Sequence, residues 1–161
     1  VSTAVVVGNP KPASRTLVAA TRLAEDLTGA PPELVVDLAT VGAGLLAWDD
    51  EDVAALVERV GEVDTVVVAC PTYKGTFTGL LKLFLDRFEA RPRRAVAVPL
   101  MLGAGPGHAL APELGLRPVL TELGFTTTRG LYLIDSRYDD REASRDWLDQ
   151  VRPVVAALTR A

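Results

Sequence analysis

Short apolar runs alternate with longer amphipathic ones along the whole chain. Thr3–Val7, Glu33–Asp37, Thr65–Cys70, Ala95–Leu102 and Thr127–Ile134 are rich in β-branched and apolar residues. Such runs predict strands buried on both faces, as in a parallel sheet. Between them, apolar positions recur at helical spacing. Helices are predicted from Ser14 to Leu27, from Asp49-Asp50-Glu51-Asp52 to near Gly61, from Gly79 to Glu89, from His108 to Leu123 and from Asp140 to Leu158. Gly29-Ala30-Pro31-Pro32 stops the first, and the acids opening the second suit the positive end of a helix.

Five strand–helix units imply one parallel sheet covered by helices on both faces, an α/β fold. Right-handed crossovers favour the doubly wound strand order 2-1-3-4-5, in a single domain spanning residues 1–161. Ligands of such sheets sit beyond the C-terminal strand ends, where strands 1 and 3 diverge. Three loops converge there: Gly8–Thr16, Pro71–Thr78 and Gly103–Gly107.

Composition narrows the chemistry. The 161 residues are 48% hydrophobic, enough for a full-sized core. A net charge of −4 argues against nucleic acid or an anionic membrane as partner. The basic cluster Arg91-Pro92-Arg93-Arg94 reads as a solvated loop. Cys70 is the only cysteine, so no intrachain disulfide forms, which suits a reducing cytoplasm. The first residues enter a strand without a basic or apolar leader, so no signal peptide is expected. The longest uncharged stretch, Ala95–Pro112, is broken by Pro99, Pro106, Gly103, Gly105 and Gly107, so it reads as strand and loop, not a membrane span.

The first loop carries the sharpest signal. Asn9, Lys11, Ser14, Arg15 and Thr16 follow a buried strand and open a helix. Helix N-terminal amides, hydroxyls and cations together make a phosphate cradle. The G-x-G-x-x-G dinucleotide fingerprint is missing, because only Gly8 stands in that loop, and there is no G-x-x-x-x-G-K-[ST]. A phospho-receiver would need an aspartate at the end of strand 3, where Ala69-Cys70-Pro71 stands. A monophosphate in loop 1, with a flat group across loops 2 and 3, describes flavin mononucleotide (FMN). Tyr73 would edge the flavin or a second subunit, and Gly103, Ala104 and Gly105 would approach its pyrimidine edge. Cys70 and His108 both fall near this pole. A buried strand cysteine is usually inert, so His108 is read as a helix cap or pocket wall, and no catalytic side chain or metal ligand is assigned.

At these residues the chain resembles a family, the NADPH-dependent FMN reductases of flavodoxin-like fold, especially those associated with alkanesulfonate monooxygenases. Gly8–Ser14 resembles the family's G-S-x-R-x-x-S phosphate motif, with Asn9 for the serine and Lys11 for the arginine. Pro71-Thr72-Tyr73-Lys74 followed by Gly79-Leu80-Leu81-Lys82 resembles its P-x-Y-x…G-x-L-K motif. Gly107-His108-Ala109-Leu110 and Leu116-Arg117-Pro118-Val119-Leu120 resemble its strand-4 loop and fourth helix. The resemblance implies hydride transfer from NADPH or NADH to FMN, with reduced flavin passed to a flavin-dependent monooxygenase or another acceptor. It carries Lys74 and Gly75 into the expected site with the second motif. Some sulfonate-linked relatives have a tyrosine inserted in the fourth helix that loosens flavin binding; here Leu114 stands near that place. A quinone or azo-dye reductase and a non-enzymatic flavodoxin-like carrier are the alternatives, the latter disfavoured because loops 2 and 3 are poor in acids.

Leu80, Leu81, Leu83, Phe84, Leu85 and Phe88 leave the third helix almost no polar face. One stripe can meet the sheet, and the remainder calls for a second subunit, so a homodimer or homotetramer is expected.

Overall fold

The computed structural model describes residues 1–159. In chain order, β1 (Thr3–Val7) leads to α1 (Arg15–Thr28), β2 (Leu34–Asp37) to the short α2 (Leu38–Val41) and then α3 (Glu51–Glu62). β3 (Thr65–Pro71) leads to α4 (Gly79–Leu85), and β4 (Val96–Gly103) to α5 (Arg117–Glu122). β5 (Thr126–Thr127), β6 (Leu131–Ile134) and α6 (Arg145–Thr159) complete the described chain. The strands pair in the order β2-β1-β3-β4-β5, with β6 also on β4, and every pairing is parallel. This is the doubly wound order expected from the sequence.

Both faces of the sheet are dry. On one side Val5, Val7, Val67, Val98 and Leu100 meet α1 and α6 through Ala20, Leu23, Trp147 and Val151. On the other, Ala4, Val6, Val66, Val68 and Met101 meet α3, α4 and α5 through Val57, Leu81, Phe84 and Leu120. Two-sided burial is why the strands read as unbroken apolar runs.

Three elements depart from the sequence reading. The fifth strand is split: Ala97 pairs with Thr127 but Leu100 pairs with Leu131, so the partner offset grows by one residue. The intervening Thr128–Gly130 bulges, and the Glu113 carboxylate and the Trp147 indole N–H bind the two polar groups of Gly130. The helix expected over His108–Leu123 becomes a short turn at Pro106–His108, a widened turn over Pro112–Leu116 and then α5. Pro118 has no N–H to continue the i→i−4 ladder, and the Arg117 N–H bonds instead to the Pro112 carbonyl five residues back. Finally, α4 ends at Leu85. Phe84 and Phe88 are 0% and 6% exposed, packed edge-to-face with ring centroids 5.4 Å apart. They are therefore core residues, and the chain itself covers most of the face expected to need a partner; Leu83 stays exposed.

The basic cluster is also not simply solvated. The Arg93 guanidinium donates to the Leu123 and Glu89 carbonyls and lies 5.0 and 5.4 Å from the Phe88 and Phe125 ring centroids. It closes the lower end of the core as a structural cation.

Candidate functional site

The first loop is fixed from three directions. The Gly8 N–H continues the sheet by donating to the Ala69 carbonyl at 2.8 Å. The Gly8 carbonyl accepts from the buried Thr78 hydroxyl at 2.6 Å. Thr78 also caps α4, its Oγ1 accepting from the Leu81 N–H at 3.1 Å. A Cβ at position 8 would lie 2.4 Å from the Leu81 Cβ, so only glycine allows the loop this close to α4. Further along, Asn9 Oδ1 accepts from the Lys11 N–H at 2.9 Å, while its Nδ2 donates to Thr16 Oγ1 at 3.0 Å. Asp37, at the end of β2, accepts from the N–H of Ala13, whose φ is +50°. Ser14 caps α1 through the Leu17 N–H. The two cations Lys11 and Arg15 stand exposed on this frame.

The second loop is a tight hairpin. Tyr73 and Thr76 exchange both backbone hydrogen bonds, and the central pair, Lys74 and Gly75, has φ of +52° and +84°. Positive φ at both centres is the turn that matches strand twist, and it leaves Tyr73 half exposed at the cleft edge. Thr72 is tied to β4 by its N–H, which donates to the Leu102 carbonyl, while its Oγ1 is buried without a hydrogen-bond partner.

The third loop rests on Tyr132 of β6. The phenol donates to the Gly105 carbonyl at 2.7 Å, and a Cβ on Gly103 would come within 1.9 Å of the phenol oxygen. Burial raises the Tyr132 pKa, keeping the phenol a protonated donor.

These loops enclose a cleft of about 400 Å³. Asn9, Lys11, Ser14 and Arg15 line it from the first loop, and Pro71, Thr72 and Tyr73 from the second. Leu102, Gly103 and Ala104 form its third side, and Asp135 its rim. The other expected residues fall elsewhere. Thr16 is buried beneath Asn9 as a support. Lys74 is at the hairpin tip, and Gly105 faces Tyr132. Gly75 and His108 line a neighbouring hollow with Leu110 and Leu114. Sequence reasoning missed Thr78, Leu102, Tyr132 and Asp135. It also left Asp37 as no more than a strand end, whereas its carboxylate holds the first loop.

Cys70, in β3 next to Pro71, is fully buried, and burial pushes its thiol pKa up to about 12. His108 is exposed. The pair therefore supplies no thiolate nucleophile.

The sequence profile of the NADPH-dependent FMN reductases matches residues 1–139. The chain belongs to that family. Among FMN reductases named in curated collections, one from Pseudomonas putida, an "FMN reductase (NADPH)", is 32% identical over 103 residues. That match covers 61% of this chain and 51% of the relative, so the chain spans about half the length of that protein. The "NADH-dependent FMN reductase SfnF" of Pseudomonas fluorescens is 27% identical over 144 residues, covering 83% of this chain and 76% of the relative. Among solved structures, the apo form of an NADH:FMN oxidoreductase, EMOB, superposes with a TM-score of 0.82 at 26% identity, covering 98% of this chain and 88% of that one. An archaeal flavodoxin with a TM-score of 0.61 at 10% identity shares the fold alone. Within the FMN reductase family frame, the widened turn at Pro112–Leu116 falls where the sequence has Leu114, which is 74% exposed. No helix among the described residues is long and apolar enough to cross a membrane.

Proposed function

We propose that this chain is an NAD(P)H-dependent FMN reductase. The observation that carries the reading is one cleft lined by Lys11 and Arg15 of the first loop together with Thr72, Tyr73, Gly103 and Ala104 of the second and third. The donor set fits FMN. The first loop offers two cations at the N-terminus of α1, a combination suited to a phosphate. Thr72 Oγ1 is a buried hydroxyl still lacking a partner, and the glycine loop lets backbone approach a flat ring. Family membership and the relatives' names support the same reading.

When bound, FMN supplies the redox chemistry by accepting hydride from the nicotinamide nucleotide. The chain's own task is to hold and orient. Asn9 and Asp37 hold the first loop in the shape that would receive the phosphate, and Tyr132 holds the third loop, which would meet the ring. Tyr73, half exposed, offers an aromatic wall beside the open face where a nicotinamide would enter. No general acid or nucleophile is needed.

A flavin-dependent monooxygenase as the consumer of reduced flavin, a cytoplasmic setting and a homo-oligomer belong to this reading. The apolar surface supporting self-association is the exposed pair Leu110 and Leu114 rather than Phe84 and Phe88. The test is anaerobic stopped-flow mixing of the FMN-loaded protein with NADH and NADPH. Bleaching of the oxidised flavin band within seconds is expected, and its absence with both nucleotides overturns the assignment.

A further inference from the structure

The cleft assigned to FMN contains a carboxylate on the wrong side for an anion site. Asp135 follows β6 directly and lines the cleft together with Arg15, which opens α1. Arg15 Nη1 and Asp135 Oδ2 are 2.5 Å apart. The Arg15 guanidinium carbon is also 5.8 Å from the Tyr138 ring centroid. One of the two cations offered to a phosphate is thus engaged by its own chain.

We propose that Asp135 is an internal competitor for the FMN phosphate, lowering flavin affinity by holding Arg15. The proposal rests on the FMN reading above. A phosphate monoester carries roughly −1.5 to −2 charge near neutral pH and three strong acceptor oxygens. To use the Arg15 fork it either displaces the carboxylate or shares the guanidinium with it. Displacement forfeits the ion pair, and sharing places two anions on one cation. Both penalties fall on the phosphate and neither on the flavin ring. The binding-competent state of Arg15 is therefore only fractionally populated, and apparent affinity falls by that fraction. The two side chains are 60% and 40% exposed, which holds the effect to that of a solvated pair, about two- to fivefold. A reductase that releases reduced flavin to another protein gains from such a restraint, because the flavin must leave.

The test is fluorescence titration of wild type and Asp135→Asn with FMN and with riboflavin. Asparagine keeps the shape and an acceptor oxygen but removes the charge. FMN is expected to bind about two- to fivefold tighter to the variant, with slower FMN dissociation, while riboflavin binding stays unchanged. Asp135→Ser is expected to move FMN in the same direction. In Arg15→Ala the Asp135→Asn substitution should add nothing, because the competition runs through the guanidinium. Unchanged or weaker FMN binding in both Asp135 variants, with riboflavin binding intact, overturns the proposal while leaving the FMN reading in place. Equal affinity of wild type for FMN and riboflavin overturns the phosphate assignment, and the proposal with it.

Discussion

The Asp37 carboxylate holds the Ala13 N–H at 2.9 Å across a sequence separation of 24 residues. This one bond connects the end of β2 to the middle of the first loop, at a residue in the left-handed region with φ of +50°. That conformation is unfavourable for alanine, so the loop needs an outside group to keep it. A carboxylate accepting from a backbone amide is well suited to the role.

Removing that clamp should loosen the cradle without touching the ring site. Asp37→Ala is expected to weaken FMN binding by about 1 kcal/mol, the worth of a partly exposed hydrogen bond to a charged group, with riboflavin affinity unchanged. Asp37→Asn, whose amide oxygen can still accept, should restore most of the loss. Parallel titrations with the two flavins read the difference; equal loss for both would assign Asp37 to general stability.

Gly8 should tolerate no side chain. Its substitution by alanine places a Cβ 2.4 Å from the Leu81 Cβ, and both atoms sit on constrained backbone. Gly8→Ala is expected to cost about 1–3 kcal/mol by overpacking and to shift loop 1 away from α4. A urea unfolding midpoint, measured beside FMN affinity, checks both consequences.

Much of this arrangement was legible beforehand because it rests on local signals. Five apolar runs, Gly29 at the end of the first helix and the Ser14 cap specify a doubly wound sheet whose first loop faces a ligand. What stayed hidden depends on partners distant in sequence. Nothing near Thr78 announces that its hydroxyl will reach the Gly8 carbonyl, 70 residues earlier. Tyr132 looked like any strand aromatic until its phenol met Gly105. The one local hint of the bulge in the fifth strand is Gly130; the break itself is held by bonds from distant residues, with the Thr128 N–H donating to the Ala97 carbonyl and Glu113 and Trp147 binding Gly130. The apolar third helix misled for the opposite reason. Its all-round hydrophobicity was real, but Phe84 and Phe88 pack into the chain's own core, with Arg93 lying over the Phe88 ring.

Cys70 makes stability fall in alkali. Its thiol is held protonated by burial, with a pKa pushed up to about 12 from an ordinary value of 9.0. Between these values the unfolded chain releases the proton and the folded one keeps it. Stability from this group is therefore complete below about pH 9 and is lost as pH rises toward 12. Denaturant melts of wild type and Cys70→Ala across this range should show a shallower decline in the variant. At neutral pH the thiol should resist alkylation until the protein is unfolded.

Phe88 separates core from interface. A glutamate there would bury an unpaired charge among Phe84, Phe125 and Arg93. Arg93 can offset part of that charge, but the aromatic packing is lost, so Phe88→Glu is expected to destabilise by about 3 kcal/mol or more. Leu83→Glu, on the exposed side of α4, should stay within about 0.5 kcal/mol of wild type. Thermal denaturation and light scattering, run on both variants, distinguish the roles. A Phe88→Glu protein that keeps its stability but changes molar mass would return this helix to the interface, whereas a folded mass unchanged by Leu83→Glu places any subunit contact away from it.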